Sequence, residues 1–164
     1  MNTVSPNLQM TVDSVAGNVH DLPSVLQAVR EMAGLKPLFR FELELDHGAT
    51  PVVLLMCGEV MLEFLEHAEG RRPNGASHIA KVVLEIPDRE PEERELEPGL
   101  WLVVRPGPKV RVAEVVVRSS AVHDDLGVLQ ACGGAVTEEG VLALGESQLR
   151  FLPTPGAELP PDPE

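Results

Sequence analysis

Val19-His20-Asp21-Leu22-Pro23-Ser24-Val25-Leu26-Gln27-Ala28 returns late in the chain as Val122-His123-Asp124-Asp125-Leu126-Gly127-Val128-Leu129-Gln130-Ala131. Val-His-Asp and Val-Leu-Gln-Ala keep the same internal spacing in both copies. A second echo follows each: Glu59-Val60-Met61-Leu62-Glu63-Phe64-Leu65 and Glu146-Ser147-Gln148-Leu149-Arg150-Phe151-Leu152 share Glu, Leu, Phe and Leu. In both places the helix-like stretch precedes the strand-like one. A doubled supersecondary unit packs as two halves about a shared cleft, so any site is expected between the halves.

Working outward from the first copy, residues 8–16 read as a strand, followed by the turn-prone pair Gly17-Asn18. Asp21 caps a helix whose apolar positions Leu22, Val25, Leu26, Val29 and Ala33 share one face. Pro23 is tolerated in a first turn, where its missing N–H costs nothing, and Gly34 stops the helix. Phe39-Arg40-Phe41-Glu42-Leu43-Glu44-Leu45 alternates as a strand with one wet face. Asp46-His47-Gly48 is its turn, and Val52–Met56 and Val60–Leu65 are two further strands. The first half is therefore β-α-β-β-β.

The second half follows the same order in compressed form. Val110–Arg118 is a strand, and Ser119-Ser120 cap a short helix with Asp124 and Asp125 in its first turn, where acids suit the helix dipole. Gly133-Gly134 ends it; Val136-Thr137, Val141–Leu144 and Gln148–Leu152 are short strands. Between the halves, His78–Ile86 and Leu100–Arg105 read as a strand pair, an inserted β-hairpin flanking the charged run from Pro87 to Glu95, which reads as a solvated loop. The expected organisation is a βαβββ module over residues 8–67, an insertion over 68–109, a second, shorter module over 110–153, and a proline-rich disordered tail over 154–164. The fold class is α+β, with two tandem βαβββ modules forming one cupped, curved mixed sheet.

At 164 residues, 43% of them apolar, the chain holds one domain or two intimately packed half-domains. A chain of this size buries roughly 68–70% of its unfolded surface, so it needs no disulfide or metal staple. Cys57 and Cys132 are isolated in apolar sequence and read as buried thiols in a reducing compartment. The net charge of −13 repels nucleic-acid backbones and anionic membranes, aids solubility and steers cationic ligands inward. No basic segment leads into an apolar run at the N-terminus, and the longest apolar stretch, about Pro51 to Cys57, is far short of a membrane span. A soluble cytoplasmic protein is expected.

Two β-α-β-β-β units in tandem resemble the vicinal oxygen chelate superfamily, the fold of glyoxalase I, extradiol dioxygenases and bleomycin-resistance proteins. The resemblance rests on Val19-His20-Asp21-Leu22 before the first helix, and on Leu62-Glu63-Phe64-Leu65 and Leu149-Arg150-Phe151-Leu152 closing the units. It implies homodimers and, in the enzymes, a divalent metal held by a His on the first strand and a Glu on the last strand of each module. The first His position falls on Ser14, and the first Glu position is kept as Glu63. In the second module the His position falls on Glu114 counting back from the helix, or on Val117 in the internal repeat register; Glu114 is preferred. The last Glu position is Arg150. No register supplies a histidine, and a divalent ion does not take a guanidinium as a ligand.

The resemblance therefore implies that Glu63 and Arg150 occupy equivalent points and face each other where a metal would sit, either as a ligand-reading carboxylate–guanidinium pair or as an ordinary salt bridge at a seam. Glu63 and His67 are too far apart along a strand, about 13 Å, to share one ion. His20 and His123 read as cap or surface residues, and His78 has no obvious partner. No nucleophile triad or phosphate loop has the necessary spacing. Trp101 is the one large aromatic platform, either core filler or a stacking surface for a cationic or planar guest.

Three functions remain. The preferred one is a metal-free small-molecule binding protein, with no catalytic residue, metal or other cofactor, sequestering a cationic or planar ligand through Glu63, Glu114, Arg150 and Trp101. The alternatives are a metal-dependent lyase, isomerase or dioxygenase of the same superfamily, and a non-catalytic scaffold. The scaffold would show a continuous exposed apolar strip on residues 79–86 and 100–104.

Overall fold

Alternating apolar residues make most of this chain strand, and one amphipathic stretch near the start makes a well-packed helix. The computed structural model describes residues 12–45, 48–67, 77–119, 122–131, 135–138 and 140–153. The order is β1 (Ser14–Val19), α1 (Leu22–Ala33), β2 (Phe39–Leu45), β3 (Gly48–Cys57), β4 (Val60–Glu66), β5 (Ser77–Glu85), β6 (Glu92–Glu97), β7 (Leu100–Arg105), β8 (Arg111–Ser119), α2 (Val122–Ala131), β9 (Ala135–Glu138), β10 (Val141–Leu144) and β11 (Ser147–Pro153). This is a mixed α+β protein, mostly sheet.

Helix α1 starts and stops where its local chemistry dictates. The Asp21 side chain accepts the Ser24 N–H at 3.2 Å, Pro23 sits in the first turn, and Gly34 takes the left-handed conformation at φ 70° with its N–H on the Arg30 carbonyl. Two distant carboxylates complete the N-terminus. Glu97 accepts the His20 N–H at 2.9 Å, and Glu66 accepts the Leu22 N–H at 2.8 Å. Anionic side chains satisfy the open N–H groups and complement the positive end of the dipole.

Two sheets form, not one. Strands β1-β4-β3-β2 make a four-stranded sheet, and β6-β7-β5-β8-β11-β10-β9 make a seven-stranded sheet. Both contain a parallel pair, β1 with β4 and β8 with β11, among antiparallel neighbours. The expected single cupped sheet is replaced because β5 runs antiparallel along β8 and takes the edge on which the other half would have continued. Helix α1 packs on β6 and β7 of one sheet and β4 of the other. One core joins them: Val25, Val29 and Met32 of α1, Leu55 and Leu62 of the small sheet, and Leu84, Leu102, Val104 and Val112 of the large one. Helix α2 buries no residue, and Val128 on it is exposed.

Local expectations fail in three places, each through a distant partner. Gly17 and Asn18 continue β1 instead of turning, because Asn18 is held by the buried His67 (Oδ1 to Nε2, 2.6 Å) and Val19 is fully buried beyond it. The charged run is not all solvated loop: Glu92–Glu97 forms edge strand β6, with Arg94 reaching Glu31 of α1 at 2.9 Å and Leu96 packed on the core. Charged side chains on an edge strand also discourage further pairing. The inserted strands are not a hairpin, since β7 lies parallel to β5 and antiparallel to β6. The expected turn at Asp46-His47, the stop at Gly133-Gly134, Cys132, Ser120 and the tail lie outside the described residues.

Candidate functional site

Alternation along β8 and β11 decides which side chains meet. Val115 and Leu149 turn to the core, so Glu114, Gln148 and Arg150 project from the opposite face. Beside them, the small Ala143 of β10 lies opposite Gln148 and lines the hollow. An open cleft of about 610 Å³ results, lined by Arg105, Arg111, Glu114, Glu146, Gln148 and Arg150 among others. A second hollow, of about 430 Å³, lies by α1 and is lined by Leu22, Leu26, Arg30, Arg40 and Pro51 among others.

Charges in the first cleft are mutually engaged. Arg150 Nε donates to Glu114 Oε2 at 3.3 Å, Gln148 Nε2 donates to the same oxygen, and Arg150 Nη2 lies 3.9 Å from Glu138. Along the other wall, Glu85 is bracketed by arginines from both neighbouring strands. Arg111 Nε donates to its Oε1 at 2.8 Å and Arg105 Nη2 lies 3.1 Å from its Oε2. The Arg111 hydrogen bond holds the Glu85 carboxyl below the usual range, against the opposing effect of burial and with help from Arg105. Lys109 Nζ sits 2.7 Å from both oxygens of Glu146 and lowers its pKa, and Arg111 donates to the Glu146 backbone carbonyl.

The registers place Glu114, rather than Val117, level with Ser14. Ser14 pairs with Met61, two residues before Glu63; Glu114 pairs with Gln148, two residues before Arg150. Val117 packs against the core. Glu63 does not join Arg150. It projects from the small sheet between the core residues Leu62 and Phe64, and so points away from the core, as Arg150 does from the other sheet. Among the described residues, Arg150 takes Glu114 and Glu138 instead. Trp101, on β7, shares the face of Arg105 but stands four residues, about 13 Å, along the strand and does not line the cleft.

Arg105, Arg111 and Glu85 are brought together only by the pairing of β5 with β7 and β8, which no local pattern in the sequence marks. Positions 111 and 114 belong to opposite faces of a regular strand. The ladder between β5 and β8 shifts so that Val83 meets Glu114 but Leu84 meets Val112, leaving Ala113 as an extra residue. That bulge returns Arg111 to the face of Glu114. Alternation alone could have found Gln148, two residues before Arg150.

The donor chemistry at the positions implied by the resemblance does not suit a divalent ion. Ser14 and Glu63 supply one carboxylate on one sheet, and Glu114 on the other is already engaged by a guanidinium. Among the described residues no three His, Cys, Asp or Glu side chains gather as a metal site. His67 is committed to Asn18, and His78 and His123 are exposed. Nor does the insertion carry an apolar strip. Val82, Val83, Leu84, Ile86, Leu100, Leu102 and Val104 are all buried, so these strands build the core. Among the described residues, no helix is long and apolar enough to cross a membrane.

No protein-family model and no curated protein matches the sequence. Among solved structures, the chain is similar to a "putative dioxygenase" from Bacillus subtilis subsp. subtilis str. 168, with a TM-score of 0.55 and 11% identity. That match covers 87% of this chain and 64% of the other, so the chain spans under two thirds of that structure's length. A hypothetical protein from Staphylococcus aureus is also similar, at a TM-score of 0.38 and 11% identity, covering 87% of this chain and 66% of that one. At 11% identity the first likeness shows a shared fold and nothing finer.

Proposed function

We propose that the chain is a small-molecule binding protein on a glyoxalase- and bleomycin-resistance-like scaffold, working without a metal at these positions. The observation that carries this reading is Arg150, ion-paired with Glu114 in an open polar cleft where the resemblance implies a carboxylate ligand. The parallel pairing of β1 with β4, and of β8 with β11, supports the tandem βαβββ reading that underlies it. The cleft also narrows the guest. Arg105 projects with half its side chain exposed and Glu146 with 62% exposed. A small zwitterion suits this lining better than a purely cationic or flat molecule: its carboxylate competes with Glu85 and Glu114 for the exposed parts of Arg105 and Arg150, and its amine displaces the exposed Lys109 from Glu146. A bidentate carboxylate–guanidinium contact is directional and provides selectivity as well as affinity. Glu63 and Trp101 have no part in this cleft.

The metal-dependent alternative that the resemblance implies needs donors that Ser14, Glu63, Glu114 and Arg150 do not supply. The test is calorimetric titration against a panel of amino-acid-like zwitterions, simple carboxylates and permanent cations. The expected result is a zwitterion or carboxylate whose affinity falls roughly tenfold or more in Arg150→Ala, the loss of one charge-assisted contact. Its binding should be unchanged in Arg30→Ala, a residue outside the cleft. Stoichiometric metal in untagged protein, lost on Glu63→Ala, would overturn the reading.

A further inference from the structure

Strand β2 is the outer strand of the small sheet, and nothing among the described residues pairs with its far side. It is also the most apolar exposed segment described. Phe39 is 59% exposed, Phe41 40%, Leu43 36%, and the preceding Leu38 55%. Phe39, Phe41 and Leu43 share one face; Arg40 and Glu42, both exposed, share the other. Neither Arg40 nor Glu42 makes an ion pair among the described residues. Most edge strands are protected by charge, bulges or a covering element. This one keeps two open phenylalanines.

We infer that β2 is a self-association edge, and that a second copy of this chain pairs with it antiparallel across a twofold axis through Phe41. The register follows from side-chain chemistry. Antiparallel self-pairing keeps the apolar residues on one face only when a residue lies on the axis. With Arg40 there, two arginines face each other; with Glu42 there, two glutamates do. With Phe41 there, Arg40 of each copy meets Glu42 of the other, Phe39 meets Leu43, and Phe41 meets its own mate. Of the three, only this register pairs opposite charges without setting like charges face to face, since with Glu42 on the axis Arg40 meets Glu44 but the two Glu42 side chains oppose each other.

Aromatic side chains carry about 150–250 Å² each, so the exposed parts of Phe39, Phe41 and Leu43 present roughly 250 Å² of apolar surface on one face. A standard interface covers about 800 Å² per partner, a little over half of it apolar, so this patch supplies about half of the apolar area that a stable dimer requires, and the backbone ladder and ion pairs add to it. Repulsion between two copies of net charge −13 opposes association, but at physiological ionic strength it is screened beyond about 8 Å, while the cross-strand pairs are in contact. This inference is independent of the ligand cleft, which lies on the other sheet.

Sedimentation equilibrium of the full chain at micromolar concentrations tests it. Wild type should be a dimer. Arg40→Glu, which sets four carboxylates across the seam, should weaken dimerisation roughly tenfold or more, the loss of two cross-strand ion pairs. Arg40→Glu combined with Glu42→Arg restores the opposition with the signs exchanged and should return to within a few-fold of wild type. Phe41→Glu should be monomeric. Circular dichroism checks that each variant is folded, and hydrogen exchange of wild type should show the amides of residues 39–43 becoming protected as concentration rises. A monomeric wild type overturns the inference, as does a dimer indifferent to Arg40→Glu or a folded double variant that does not recover.

Discussion

Replacing Glu85 by glutamine keeps the shape and removes the charge on which two arginines converge. The carboxylate accepts from Arg111 Nε at 2.8 Å and from Arg105 Nε at 3.2 Å, and its side chain is only 12% exposed. A glutamine retains one acceptor and turns an N–H₂ group toward a guanidinium. Hydrogen bonds to charged groups are worth about 1.5–3 kcal/mol each, but Arg105 is half exposed and water replaces much of what it loses. Arg111, 27% exposed, carries most of the effect. The expected cost is therefore about 2–3 kcal/mol, or about 5–10 °C in melting temperature for a chain of this size.

The pH dependence has a definite sign. The folded carboxyl titrates below its unfolded value, so the folded state binds fewer protons and the stabilisation is complete above the ordinary carboxylate pKa. It is lost as the pH falls through the folded value, below about 4.3. Thermal melts of wild type and Glu85→Gln between neutral and mildly acidic pH test this. The gap should stay constant down to the ordinary carboxylate pKa and close below it. Equal stability at neutral pH, or a gap that widens on acidification, would refute the reasoning.

Leu84→Ala empties a fully buried position in the core shared by the two sheets and should cost about 2–5 kcal/mol in urea melts with an unchanged slope. Asp21→Ala removes the side-chain cap from α1 and should cost about 1 kcal/mol in the same assay. Glu97→Ala should destabilise the same helix end although it lies on a distant strand, and hydrogen exchange at His20 should rise with it. Burial pushes the Cys57 thiol up to about 12. Mass mapping should find Cys57 unmodified by a thiol reagent in native protein at mildly alkaline pH and modified once the chain is unfolded.

Much of the fold is legible locally. Asp21, Pro23 and Gly34 mark α1 because capping chemistry acts within one turn of the helix end. Phe39–Leu45 is a strand by simple alternation, and the spacing of Asp124 and Asp125 from the repeat locates α2. Counting back from the second helix anticipates that Glu114 is level with Ser14, whereas the echo between the halves points to Val117, because the bulged, compressed second half does not keep the spacing of the first. The candidate site was half legible. Glu114 and Arg150 are found by register, whereas the expectation that Arg150 meets Glu63 assumed a sheet continuous from one half to the other.

Elements whose causes lie within about ten residues are written in the chain itself: one capped amphipathic helix, alternating strands, a strongly acidic composition, and an arginine where the resemblance implies a carboxylate. That Glu92–Glu97 is a strand follows instead from long-range pairing, since that run gains order from β7 and from Glu31 on α1. Long-range pairing also decides that Gly17-Asn18 extends β1, that β5 separates the two sheets, and that a bulge at Ala113 brings Arg111 to Glu114. Each of these depends on which distant strand supplies the opposite half of a hydrogen bond or ion pair. Propensity and periodicity describe a segment alone, and do not specify the partner that competes for its backbone or its charge.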